Sequence, residues 1–464
     1  MMRTYTLDPQ ALRDDFFRQF ARYWPLGMDA LRALALPRTP LPEQEVFPPR
    51  LAWVQLPDWA HDLGADGQHA GKLPIPAHLV PLSAKWRAVD WPLCGAWFMH
   101  CLAERAHEQQ YGPVHSYSFR LKGWPTAMWS RAWTNRIALF LRRLAATEYE
   151  KDERSLFGPL PEAEITLTHD VDAMRKTVPI RCKQAVFNLF NAARALASRR
   201  GTKAWRYAKS AFNFILRRDE NWHFSRIARL DEEYGQRSLF FFPGREPALF
   251  LKSPRAWLFD PGYDALALKT DLTALTAAGH AIGLHPTFDA CADAGKLVYA
   301  KERLQEAVCM PVKACRQHWL RFSFAATWAA QATAGLTSDY TLGFNDRVGF
   351  RNAAAIRHEP LGPDGKPIPG FFSIPLVLMD SQLYNYTDSG YGNTSERIKL
   401  LLDELCFTRG QASILWHPHT IFVDYGWEEG YLALLRELEL TGLPITKCAE
   451  ISMFINGKTD MPKR

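Results

Sequence analysis

Paired cysteines are missing from this sequence: its eight cysteines, at 94, 101, 182, 291, 309, 315, 406 and 448, include no CxxC pair. A chain of 464 residues builds a core without disulfide staples, so reduced, mostly structural thiols are expected. No run of about 18 consecutive apolar residues occurs, which argues against a transmembrane helix. Met1 to Tyr23 lacks a basic segment followed by an apolar one. No secretory signal is therefore read there, and a cytoplasmic location is expected. Base-reading motifs are also lacking, so nucleic acid is not an expected partner. Acidic residues are absent from one long stretch, Arg175–Arg218, which holds twelve basic residues and no Asp or Glu.

What is present is ordinary for a globular chain: 47% hydrophobic and 23% charged residues. The length implies two or three domains. The net charge of +7 is concentrated in the basic stretch, where Val186, Phe187, Leu189, Phe190, Leu196, Trp205, Phe212, Phe214 and Ile215 interleave with the cations. A helical segment of that kind suits anionic lipid or a polyanion, which would place the protein at the inner membrane surface. It equally suits a solvated helix face packed on its own barrel. Both readings stay open.

Residues 1–150 contain nine of the sixteen tryptophans, at 24, 53, 59, 86, 91, 97, 124, 129 and 133. Core and interface packing is the expected reading, with a sugar-stacking surface as the alternative. The stretch Tyr149–Glu164 (YEKDERSLFGPLPEAE) reads as a linker. Beyond it, seven strand-like runs alternate with helical ones: Ile165–His169, Ser238–Phe242, Ala281–His285, Val312–Arg316, Ser338–Leu342, Phe372–Leu376 and Ser413–His417. Alternation of this kind implies a parallel α/β sheet. Asp170, His285, Arg316 and His417 fall at strand ends, the face on which a β/α barrel assembles its chemistry.

Asp170 and Asp172 close the first strand in THDVD. Such a pair can divide its roles, one carboxylate binding a cation and the other taking a proton. A lone DxD is common in loops and caps, so its weight comes from its position. His285 and Asp289 lie four apart in GLHPTFD, close enough to share an ion if the chain turns once. The plainer reading has His285 ending a strand and Asp289 capping a helix. ILWHPHT supplies His417, a residue type suited to acid catalysis near neutrality.

THDVD, GHAIGLHP, CRQHWLRF and ILWHPHT, in this order, resemble the motifs of the polysaccharide deacetylase superfamily (NodB-homology, carbohydrate esterase family 4). The stretch from RQHWLRFSFAATW to IPLVLMD is similar to a branch found in bacterial surface-polysaccharide gene clusters. The resemblance covers residues 163–452 and leaves 1–150 as an accessory N-terminal domain of unknown role. It implies a (β/α)7-type distorted barrel with a basic helical insertion at 175–218. It further implies a divalent metal, zinc being the expected one, held by Asp172, His285 and, where the family has a second histidine, Asp289. Asp170 is the implied base, Arg316 the residue that holds it, His417 the acid, and Asp339 the partner of that acid. The implied reaction removes acetyl from an N-acetylated glycan or its lipid- or nucleotide-linked precursor. A non-catalytic glycan-binding member and an amidohydrolase on a non-sugar C–N bond are the alternatives.

Overall fold

In the computed structural model, residues 7–80, 85–216, 222–246, 254, 257, 262–385 and 394–443 are described. A two-stranded antiparallel ribbon, β1 (Leu51–Gln55) with β2 (Lys72–Pro76), precedes the main sheet. That sheet has eight strands: β3 (Glu164–Asp170), β4 (Leu239–Phe242), β5 (Ala281–Leu284), β6 (Ala314–Cys315), β7 (Ser338–Asp339), β8 (Phe372–Ser373), β9 (Leu376–Met379) and β10 (Gln411–Leu415). Their order is β8-β7-β6-β5-β4-β3-β10-β9. This is the cyclic order of a β/α barrel, open at one seam between the chain neighbours β8 and β9. The fold is thus the expected distorted barrel with one more strand, because the run Phe372–Leu376 breaks into β8 and the start of β9 at Ile374 and Pro375.

Helices make the parallel crossovers. Between β3 and β4 lie α1 (Val178–Ala197), α2 (Gly201–Leu216) and α3 (Ser225–Glu233); α4 (Lys269–Ala277) joins β4 to β5, and α5 (Ala294–Val308) joins β5 to β6. Pairing is in register, with Asp170 opposite Phe241, Phe241 opposite Gly283, and Leu284 opposite Cys315. Parallel strands held in this register end side by side. The residues just beyond β3, β5 and β6 are therefore delivered to one edge of the sheet.

The chain packs as two compact units. One comprises Met1–Thr166, Trp319–Ile414 and Leu440–Thr446, the other Leu167–His318, Leu415–Glu439 and Lys447–Arg464. The N-terminal third therefore shares a core with part of the C-terminal two-thirds instead of standing alone as residues 1–150. Phe344, Ala353, Ala354, Ile356 and Leu361 pack into the same cluster as Trp24, Trp91, Trp97, Trp124, Trp129 and Trp133. Those six tryptophans are buried, and Trp53, Trp59 and Trp86 pack against the cluster, so all nine serve packing.

Buried arginines knit this unit together. Glu404, nearly fully buried, accepts from Arg136 Nε and Nη2 at 2.9 and 2.7 Å, from Arg131 Nη1 at 3.0 Å and from the Ala132 amide at 3.1 Å. Arg351 pairs with Glu104, and Arg13 with Asp90 at 2.6 Å. Removing one partner leaves the other charge buried and unmet. Glu404→Ala should therefore lower stability by about 3–5 kcal/mol, measured by chemical denaturation, whereas the exposed Asp403→Ala should leave it within about 0.5 kcal/mol.

His358 gives this unit a pH dependence. Burial pushes its imidazole down to about 3 from an ordinary 6.5, helped by the neighbouring His100. The unfolded chain takes up this proton near pH 6.5 while the folded one does not until about pH 3. Between those values the unfolded state holds more protons, so stability falls as pH falls. His358→Gln should flatten the fall between pH 6.5 and 5 by up to about 1.4 kcal/mol per pH unit; unaltered slopes in parallel denaturation curves would refute this origin.

Candidate active site

Alternation along β3 sorts the THDVD motif. Thr168 and Asp170 share one face of the strand, and His169 lies on the other. His169 is structural: its ring bonds the Trp416 carbonyl at 2.7 Å and Asp231 at 3.0 Å, in a buried cluster with Ser238 and Tyr431. On the opposite face stands Arg316, the first residue after β6, with no exposed side-chain surface. Its Nη1 donates to Thr168 Oγ1 at 2.7 Å and to Asp170 Oδ1 at 3.0 Å. Its guanidinium lies over the Phe241 ring, 4.7 Å from the centroid. That ring has room because residue 283 on the next strand is glycine, where a Cβ would sit 2.5 Å from Phe241 Cε1.

The same arginine also acts through its backbone. His285 Nδ1 lies 2.8 Å from the Arg316 carbonyl oxygen. That oxygen only accepts, so Nδ1 carries a ring proton, and Nε2 is the nitrogen left to serve as a metal ligand. Nε2 points at Asp172 Oδ1, 3.1 Å away. His318 Nε2 reaches the same oxygen from 3.7 Å. His417 Nε2 stands 3.7 Å from the other oxygen, Oδ2. Asp170, Asp172, His285, Arg316 and His417 thus converge on one place, together with a residue the sequence reading did not single out, His318.

Asp172, His285 and His318 offer ligand atoms that all lie within 4.8 Å of one another, the one such group among the described residues. Asp172 Oδ1 is buried yet makes no aligned hydrogen bond, although 28% of its side-chain surface is open. Ligands about 2.0–2.1 Å from a tetrahedral zinc stand about 3.3 Å from one another, close to the 3.1 and 3.7 Å between Asp172 Oδ1 and the two rings. An oriented imidazole, a second imidazole and an orphaned carboxylate oxygen suit zinc chemically. Burial works to raise the Asp172 pKa, but the adjoining His285 ring and the charges of His318 and His417 hold it well below the usual carboxylate range. Burial likewise lowers His285, and the Asp170 and Asp172 carboxylates more than reverse it. The set thus keeps its carboxylate ionised.

Two expected assignments need correction. Asp289 is not in the ligand group: its carboxylate accepts from the Thr287 hydroxyl and pairs with Lys296 in the first turn of α5, with 61% of the side chain exposed. Pro286 follows His285 directly, and the chain runs on to Asp293, the N-cap of α5, which leaves Asp289 on the surface. His318 completes the candidate group instead. Asp339, expected beside His417, spends its carboxylate on Trp328 Nε1 (3.0 Å), Gln331 Nε2 (2.9 Å) and the Thr341 hydroxyl. The carboxylate next to His417 is Asp172. The overlooked histidine had one signal in the sequence, its place two residues beyond Arg316 in CRQHWLRF.

No protein-family model matches the chain, and no curated protein matches it. Solved structures similar to it include a protein assigned as a polysaccharide deacetylase from Mycobacterium smegmatis, with 18% identity over 65% of this chain and 92% of that one, at a TM-score of 0.36. A family 4 carbohydrate esterase from Streptomyces lividans shows 10% identity over 61% and 91%, at 0.29. A family 4 pseudoenzyme from Bacillus anthracis shows 9% over 61% and 63%, at 0.29.

Metal content separates the two ligand sets. After loading with zinc and exhaustive desalting, the purified protein should carry about one equivalent, and His318→Ala or Asp172→Ala should lose 10–100-fold in affinity or more. Asp289→Ala should keep its metal. Elemental analysis returning the reverse pattern would restore Asp289 as the ligand.

Proposed function

We propose that the protein is a metal-dependent hydrolase that removes acetyl from an N-acetylated sugar of a bacterial surface polysaccharide or of its precursor. The observation that carries this reading is the placing of a fixed carboxylate, Asp170, and a histidine, His417, around a two-histidine, one-carboxylate ligand group. The sugar class rests on the motif resemblance and the acyl chemistry on the site.

Asp172, His285 and His318 would hold the zinc ion, whose chemistry when bound would be Lewis acidity toward the acetamide oxygen and a lowered pKa for its water. Asp170 has one oxygen, Oδ1, committed to Arg316, which leaves Oδ2 to take the proton of the attacking water. Arg316 fixes the direction of that carboxylate. His417 carries its proton at Nε2, steadied by Asp172 Oδ2, and passes it to the departing amine nitrogen. Base and acid are thereby kept apart, one beside an arginine and the other beside a carboxylate. A glycan binder has no use for an oriented base and acid around one ligand group.

Asp170→Asn and His417→Ala should each reduce deacetylation of chitooligosaccharide or peptidoglycan fragments by 10²–10⁴-fold, the usual worth of acid–base catalysis, with zinc content unchanged. Acetate release at the wild-type rate from either variant sinks the role assignment. Release from simple acetamides but from no N-acetyl sugar moves the reading to a non-sugar amidohydrolase.

A further inference from the structure

The basic segment folds as a helical hairpin, α1 with α2, inserted between β3 and α3. Away from its root, where Ile180 and Phe214 are buried with Trp222, its interior is made of small or polar side chains: Ala185, Asn188, Asn191 and Ala195 on α1, and Ala204 and Ala211 on α2. Beyond that root most of the larger apolar residues point outward. Val186 is 66% exposed, Leu189 53%, Phe190 62%, Leu196 66%, Trp205 72% and Phe212 63%. On α2 they follow a single stripe, with Trp205, Phe212 and Leu216 at intervals of seven and four and the exposed Lys209 within it. This is the reverse of an ordinary amphipathic hairpin, which buries its Phe and Trp and exposes its small residues.

We propose that the Val178–Leu216 hairpin is a peripheral docking element for an anionic lipid bilayer. The combination of exposed aromatics with a segment of cations and no acid matches the two forces that hold interfacial helices: apolar insertion at the headgroup boundary and attraction to anionic lipid. Arg175, Arg199 and Lys209 are exposed along it. Among the described residues no helix is long and apolar enough to cross a membrane, so the contact is one of lying on the surface.

The hairpin is rooted in the rim of the candidate site. Lys176, four residues beyond Asp172, pairs with Asp424, both side chains fully buried. Lys176 also lies 4.7 Å from the Phe214 ring centroid of α2, and Trp222 Nε1 donates to Asp424 Oδ2 at 3.3 Å. The Trp222 ring meets His419 at 5.5 Å, and His419 meets His417 at 5.4 Å. A bilayer gripping the hairpin would thus hold the mouth of the site at a fixed attitude to the membrane. The docking does not depend on the reaction proposed above, and its test involves no turnover.

The full-length protein is sedimented with sucrose-loaded vesicles of phosphatidylcholine alone or with 30% phosphatidylglycerol, at 50 and 500 mM salt. Expected is pelleting with the anionic vesicles at low salt, at least fivefold above the neutral ones, and falling with salt as screening demands. Phe190→Glu with Phe212→Glu, exposed positions that leave the core untouched, should abolish it with circular dichroism and zinc content unchanged. Arg199→Glu with Lys209→Glu should weaken it severalfold. No pelleting of the wild type, equal pelleting with neutral vesicles, or full pelleting of the Phe190/Phe212 variant each overturns the proposal. So does a concentration-dependent dimer, seen by analytical ultracentrifugation, that the Phe190/Phe212 variant loses while vesicles bind neither form.

Discussion

A guanidinium with no access to water has to be met in full where it sits, and Arg316 is met by the groups from which the site is assembled. Its side chain is tied to Thr168 and Asp170 and roofed by Phe241, while its carbonyl fixes the proton of His285. One residue at the end of β6 thereby sets the direction of a candidate base and the tautomer of a candidate ligand. Neither arrangement survives a slip of β5 or β6 against its neighbour, because the contacts come from adjacent strand ends in fixed register. Gly283 belongs to the same chain of causes, since the space it leaves is what Phe241 fills.

Much of this was legible in the sequence, for a physical reason. Parallel β/α units place the residue after each strand on a common edge, so Asp170, His285, Arg316 and His417 declare themselves by falling where apolar runs stop. Asp289 and His318 were not legible in that way. Both lie in loops, where spacing alone does not say which way a side chain faces. After His285 the proline and the run to the Asp293 cap carry Asp289 outward to Lys296. Two residues after Arg316, His318 stands beside Asp172, just ahead of left-handed Trp319 and Leu320, an uncommon conformation for such residues. The two histidines of the candidate group follow two different strands, which no count along the chain foretells.

The N-terminal third was less legible still. Its tryptophans read as packing and are packing, but their partners include Phe344 and Ile356, some two hundred residues on. Contacts at that range include buried ion pairs such as Arg351 with Glu104 and Arg136 with Glu404, and local composition carries no trace of them. The basic stretch held two readings in the sequence, a segment suited to anionic lipid or a polyanion and a solvated helix face packed on its own barrel. Its described aromatics are turned to solvent, except Phe214, which is buried at the root with Trp222, and the half-buried Phe187 and Tyr207. Arg217 and Arg218 lie outside the described residues, as does the stretch 444–452 at the end of the expected barrel.

The central claim is that Arg316 brings a base and a two-histidine, one-aspartate metal group to one point. Diffraction from zinc-loaded crystals, recorded above and below the zinc absorption edge, tests it most directly. The account predicts one strong anomalous peak bonded to Asp172 Oδ1, His285 Nε2 and His318 Nε2, with Asp170 alongside in the grip of Arg316. A peak bonded to Asp289, or lying away from Asp172 altogether, would contradict it.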